Sequence, residues 1–368
     1  MKYIALSDLH LGQTGKDNTG EISLLSCGAD MPEADRKIDS LGSTIRDFAG
    51  SSPVSLILVG DVLDLSLAYM ETALKDFASL LSKLPVIHNI IYVVGNHDHH
   101  IWTMHCEHIN VIDRLNKGFL PKSGSIYRRT KLDGEKFSLF EKFLNNPNVS
   151  IAYPMYCMAD KNLYFTHGHL FGGLYTFISD ILEPFLPEGS SHLDTVATVN
   201  ISVIEFIYWL LGETGQGMGA DGIMEAIYMD SQKGKKSKLY TALKSAIEVL
   251  LPNGIIAGFP DAWEHALAVW VGKHIIDETV KEPKPLSSMD RHKPSEKSRE
   301  LAIKWTDNTI CDSPLKLVVG HTHVSDYFVK DKFEMFNLGG WLIDEREPEP
   351  DSNILLIDDN KLELKKVE

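Results

Sequence analysis

Five times along this chain an apolar run stops short at a turn carrying aspartate, asparagine or histidine, with a glycine in the turn. Tyr3-Ile4-Ala5-Leu6 leads into Ser7-Asp8-Leu9-His10-Leu11-Gly12, and Val54 to Val59 into Gly60-Asp61-Val62-Leu63-Asp64. Ile90 to Val94 leads into Gly95-Asn96-His97-Asp98, Leu163-Tyr164-Phe165 into Thr166-His167-Gly168-His169, and Leu315 to Val319 into Gly320-His321-Thr322-His323. Short apolar runs rich in β-branched and aromatic residues read as strands, and those without polar alternation as strands buried on both faces. Parallel strands carry their carboxyl ends to one edge of the sheet, where open α/β sheets hold their sites. Any one of these turns is ordinary loop composition. Five on successive strands restrict the chain to folds that gather them.

The stretches between the runs fit that restriction. Ile38, Leu41, Ile45 and Phe48 recur at spacings of three, four and three, and Met70, Leu74, Phe77, Leu81 and Leu84 form a second apolar helix stripe. Strand alternating with helix predicts a layered α/β fold with a mainly parallel inner sheet. Phe137, Phe140, Phe143 and Leu144 suggest a short helix, and Val149 to Tyr153 a further strand. Phe333 to Gly340 and Ile354 to Ile357 read as closing strands, with a hairpin turn at 358–361 before Leu362 to Val367.

From 171 to 312 the pattern changes to apolar residues at helical intervals, as in Leu239, Leu243, Ile247 and Leu250. These residues read as a helical insertion between a core made of 1–170 and 313–368. Its basic clusters, Lys233 to Lys238 and Arg291 to Arg299, read as solvated loops.

An apolar share of 43% and a charged share of 24% suit a globular chain. The net charge of −15 argues against an extended duplex-DNA surface, so nucleic acid is not the expected partner. Cys27, Cys106, Cys157 and Cys311 form no Cys-x-x-Cys pair and read as reduced thiols, which fits a cytoplasmic protein. Cleaving the short apolar start as a leader would discard Asp8 and His10. The most membrane-like run, Ile201 to Leu211, is too short to span a bilayer and contains Glu205.

Gathered at one edge, the five turns offer two carboxylates, an amide and several imidazoles, with no cysteine. Nitrogen and oxygen donors of this kind suit Mn²⁺, Fe, Zn²⁺ or Ni²⁺, and are numerous enough for two ions with positions left open. His99, His100, His105 and His108 extend the third turn, but adjacent helical positions point in different directions. They read as surface or supporting residues.

The ordered blocks Asp-x-His (8–10), Gly-Asp-x-x-Asp (60–64), Gly-Asn-His-Asp (95–98), His-Gly (167–168) and Gly-His-x-His (320–323) resemble the calcineurin-like metallophosphoesterase superfamily. Asn337-Leu338-Gly339 is similar to its closing Asn-x-Gly segment. The resemblance implies a four-layer αββα sandwich carrying a large helical insertion that the core motif does not explain. It also implies two divalent ions, most simply Mn²⁺. Asp8, His10 and His323 would hold one ion, Asn96, His167 and His321 the other, and Asp61 would bridge them. His97 takes the place of the catalytic histidine, and Asp64 and Asp98 that of residues which orient the site. The implied reaction is hydrolysis of a phosphate monoester, diester or pyrophosphate by a hydroxide bridging the two metals, on a small-molecule or nucleotide-type substrate. Ser7 to Leu11 and the insertion also resemble the lipid A pathway hydrolases that cleave UDP-diacylglucosamine pyrophosphate. The chain departs from them with His97 in place of arginine, and with Gly-His rather than Gly-Asp after His167. A nuclease, and a metal-binding scaffold without catalysis, are the other readings on this fold.

Overall fold

A computed structural model describes residues 1–14, 22–27, 32–122, 131–144, 148–171, 175, 179, 192–210, 315–343, 349–359 and 361–368. The strands are β1 (Lys2–Leu6), β2 (Ile22–Ser23), β3 (Val54–Val59), β4 (Ile87–Val93), β5 (Lys131–Lys136), β6 (Val149–Tyr153), β7 (Met155–Met158), β8 (Leu163–Thr166), β9 (Leu315–Val319), β10 (Ser325–Lys330), β11 (Phe333–Leu338), β12 (Leu342–Ile343), β13 (Asn353–Ile357) and β14 (Leu362–Lys366). Seven of them form one sheet in the order β14-β13-β1-β3-β4-β6-β5, and five a second in the order β10-β11-β9-β8-β7. In the first sheet β1, β3, β4 and β6 run parallel, with Ile4 beside Leu56 and Ile57 beside Ile91. In the second, β8, β9 and β11 run parallel.

Alternation along the strands builds the layers. Ala5, Ile57, Val59, Ile91 and Val93 point one way and share an apolar cluster with Leu163, Phe165, Val318 and Phe336 of the second sheet. Ile4, Leu6, Leu56, Leu58, Ile90 and Tyr92 point the other way, against two helices. These are α1 (Pro32–Ala49), which buries Ile38, Leu41 and Ile45, and α2 (Met70–Lys83), which buries Ala73, Phe77 and Leu80. Burying each of the larger side chains contributes about 1.5–3 kcal/mol. The expected α/β sandwich is present, and described elements build three of its four layers. Met155, Leu317, Val319 and Met335 form a separate apolar cluster with Tyr164 and Phe171.

Most of 171–312, the expected insertion, lies outside the described residues, including both basic clusters and Cys311. Within it, 192–210 comprises a helix at His192–Val199, a turn at Ile201–Ile204 and a π-helical turn at Glu205–Leu210. Cys27, Cys106 and Cys157 are free thiols. Among the described residues no helix is long and apolar enough to cross a membrane.

Candidate metal centre

The carboxyl ends of β1, β3, β4, β8 and β9 bring their polar residues together. Two groups come from the turns after β1, β3, β8 and β9, and a third, of His10, Asp64 and His97, joins the β4 turn to them. Asp8, His10 and His323 offer ligand atoms within 4.8 Å of one another, and so do Asp61, His167 and His321. In the first group His10 Nε2 stands 3.1 Å from His323 Nε2, and His323 Nε2 stands 3.4 Å from Asp8 Oδ1. In the second, His167 Nε2 stands 2.9 Å from Asp61 Oδ2. Asp61 lies between the groups, its Oδ2 also 3.9 Å from His10 Nε2. Asn96 is buried, and its Oδ1 has no hydrogen-bond partner among the described residues.

Hydrogen bonds at the far ring nitrogens turn the near ones inward. His10 Nδ1 bonds Asp64 Oδ2 at 2.9 Å, and His167 Nδ1 bonds the Val59 carbonyl at 3.0 Å. With Nδ1 engaged, Nε2 of each ring points at the other donor atoms of its group. On His167 that nitrogen holds a proton toward Asp61, and a cation can take the proton's place. Together with the orphaned Asn96 Oδ1, this shows that the donors fit divalent metal. The donors are nitrogen and oxygen alone.

The charges fit the same description. Burial opposes ionisation of Asp61, but the imidazoles of His167, His97 and His10 outweigh it and hold the carboxyl well below its usual range. Burial pushes Asp8 up to about 6. Burial also works against protonating His167, yet Asp61 and Asp8 prevail and push it up to about 9. His321, half-buried and beside His167, falls to about 3, through desolvation first and the His167 charge second.

The backbone makes the convergence possible in an unexpected way. Extended geometry predicts that Asp8 and His10 face one ligand because they stand two apart. Instead both lie in the left-handed region, at φ 53° and 46°. Asp61, His321 and His323 do too, at φ 49°, 71° and 58°. Gly95 and Gly320 serve close approach. A Cβ on Gly95 would overlap Asp61 Oδ1, and one on Gly320 would overlap Ser7 Oγ and Asp8 Oδ2.

His97 sits at the edge of this arrangement, its Nδ1 3.2 Å from Asp64 Oδ1 and 2.8 Å from Ser66 Oγ. Asp64 therefore contacts both a ring of the first group and the candidate catalytic ring. Asp98 reaches neither group. Its carboxylate accepts Tyr92 Oη–H at 2.7 Å, Val62 N–H at 2.8 Å and Gly95 N–H at 2.7 Å, bracing the turns that carry Asp61 and Asn96. His169 is buried, but outside both groups.

Of His99, His100, His105 and His108, expected as surface or supporting residues, His99 and His105 are buried and take supporting places. His99, His100 and Thr103 converge on Glu205. His105 bonds Glu135 at 2.8 Å. Two contributors gave no signal in the sequence. Ser66 is one serine among many, and Glu205 was visible only as the lone charge in an apolar run.

Residues 1–199 match the family model of calcineurin-like phosphoesterases, and the chain belongs to that family. A search of curated proteins gives no match. Among solved structures the chain is similar to a cold-active protein-tyrosine phosphatase of a psychrophile, Shewanella sp., at 11% identity and a TM-score of 0.27, covering 100% of this chain and 80% of that one. It is also similar to phosphopantetheinyl hydrolase from Mycobacterium tuberculosis, at 14% identity and a TM-score of 0.29, covering 92% of this chain and 89% of that one. At such scores neither likeness speaks to substrate.

Proposed function

We propose that this chain is a dinuclear metal-dependent phosphoesterase that hydrolyses a small-molecule or nucleotide-type phosphoester. The observation that carries this reading is the pair of ligand groups with Asp61 between them, the His10 and His167 rings turned inward by Asp64 and the Val59 carbonyl. Asp8, His10 and His323 would hold one divalent ion, and Asn96, His167 and His321 the other. The Asp61 carboxylate would be shared, offsetting the repulsion between two cations. Mn²⁺ is the ion we propose; the carboxylate and amide oxygens suit it, the four imidazoles are compatible with it, and no thiolate is present. Bound ions of this kind polarise phosphoryl oxygens and make a water nucleophilic near neutral pH.

The protein's own groups do the rest. With Nδ1 of His97 engaged by Ser66 and Asp64, proton exchange with substrate falls to Nε2. Protonated, that nitrogen would stabilise charge on the phosphoryl group or give its proton to the leaving oxygen. Asp64 holds the ring's orientation. The three well-separated free thiols fit a cytoplasmic setting, which we include in the proposal.

The test is a panel of monoesters, diesters and pyrophosphates with the full chain and Mn²⁺. We expect turnover on part of the panel. His97→Ala should keep its metal and lose about 10²–10⁴-fold in kcat. Asp61→Asn should lose both metal and turnover. A chain that binds its metal and turns over nothing on the panel would instead be a metal-binding scaffold.

A further inference from the structure

Asp8, His10, Asp61 and His167 are buried, whereas the side chains of His97 and His323 keep 10% and 17% of their surface and His321 is half-buried, so a substrate reaches the centre past these three rings. The segment 192–210 stands against the His97 side. The ring of Tyr208 lies 4.9 Å from the ring of His97, tilted by 53°. Tyr208 is partly buried, packed with Leu170, Tyr175, Val196 and Ile204, and hydrogen-bonds Tyr175.

Tyr208 is held there from the catalytic turn itself. Glu205, three residues earlier, takes His99 Nδ1 at 2.6 Å, His100 Nδ1 at 2.8 Å and Thr103 Oγ1 at 2.9 Å. His99 and His100 directly follow His97 and Asp98 in the chain. One carboxylate therefore ties the Glu205–Leu210 turn to the segment that carries the candidate catalytic histidine. Trp209 adds to the tie by stacking on His100, with centroids 3.9 Å apart and planes 3° from parallel.

We propose that Tyr208 is a specificity-determining residue that packs against the leaving group of the phosphoester and favours planar, aromatic leaving groups over small alkyl ones. The proposal rests on the phosphoesterase reading above. In hydrolysis the phosphorus–oxygen bond to the leaving group breaks as water's oxygen bonds phosphorus. The leaving oxygen takes a proton, and on this reading His97 supplies it. The leaving group must then lie on the His97 side of the phosphoryl group, which is the side Tyr208 walls. An aromatic ring prefers an offset or edge contact with another ring, and such contacts add to plain area burial. An alkyl alcohol of three carbons or fewer is too small to gain from that wall.

The experiment compares phenyl phosphate with ethyl phosphate on the Mn²⁺-loaded full chain, as wild type, Tyr208→Phe and Tyr208→Ala. Metal content and thermal melting are recorded for each. Tyr208→Ala should raise KM for phenyl phosphate by about three- to tenfold, with kcat within about twofold, and leave ethyl phosphate almost unchanged. Tyr208→Phe should behave as wild type, because the ring is what matters. Equal changes on both esters, or no change on either, at unaltered metal content overturn the proposal and leave the phosphoesterase reading standing. Wild type that binds metal but hydrolyses neither these esters nor the wider panel overturns that reading, and this proposal with it.

Discussion

Five of the seven proposed ligands sit at positive φ. For residues other than glycine each such conformation costs about 1–3 kcal/mol and persists only where the surroundings over-determine it. Here they do. Asp8 N–H donates to the Gly60 carbonyl at 3.1 Å, His10 N–H to the Asp61 carbonyl at 2.9 Å, and His321 N–H to the Asp8 carboxylate at 3.0 Å. The ligand turns are thus bonded to one another, and the strain of each is borne by the next. Gly320 is the tightest point, since a methyl there would occupy the space of Ser7 Oγ and Asp8 Oδ2. Gly320→Ala should destabilise the fold by about 1–3 kcal/mol and lower metal occupancy, read by thermal melting and elemental analysis. Unchanged occupancy would mean that the turn relaxes freely. A second outcome belongs to His167. Its pKa of about 9 makes it an imidazolium at pH 7, so a cation must displace its proton. Adding Mn²⁺ to metal-stripped protein at pH 7 in weak buffer should release protons, and His167→Ala should release about one proton fewer at the same pH. No release at pH 7 would count against His167 as a ligand. The glycine-and-histidine turns were legible in the sequence, but the geometry behind them was not. Asp-x-His looked like an extended pair, and left-handed backbone at aspartate and histidine has no signature in residue order.

At the scale of elements, what was legible follows burial. β3 is buried along its whole length and stood out as Val-Ser-Leu-Ile-Leu-Val, and α1 and α2 showed their stripes because each has one wet face. β5, β7 and β10 end their sheets, so they carry polar residues freely and gave no readable period. Lys131–Lys136 reads as a turn at Asp133-Gly134, yet it pairs with β6 through a register shift. The docking of Glu205–Leu210 is legible only in three dimensions, because Glu205 finds its partners about a hundred residues away. Burial raises the carboxyl of Glu205, but hydrogen bonds from His100 and His99 outweigh it and bring it down to about 2. A depressed carboxyl adds stability that is fully present above its unfolded pKa of 4.5 and is lost as pH falls through about 2. Glu205→Gln should therefore cost on the order of 3 kcal/mol at pH 7 and roughly half that or less at pH 3, measured by denaturant unfolding. An equal cost at both pH values would show that the carboxylate charge is not what ties the insertion down.

Taken whole, the molecule is a two-sheet sandwich whose parallel strands all aim at one rim. Four strands of the first sheet run parallel and three of the second, and the five ligand turns follow β1, β3, β4, β8 and β9. Family membership was readable from motif order because each block is tied to the end of a strand, a relation that survives any insertion between blocks. The reach of the insertion was not readable. A helix stripe shows only that a face is buried, never against what, and so the contact of Tyr208 with His97 had no trace in the sequence. The central claim is that the gathered donors hold metal and that hydrolysis depends on it. The most direct measurement is the rate of phosphoester hydrolysis by the full chain as purified, after exhaustive chelation, and after Mn²⁺ is returned. The account expects chelation to abolish the rate, and returned Mn²⁺ to restore it together with about two ions per chain. Rates near the starting value in the fully chelated protein would contradict it.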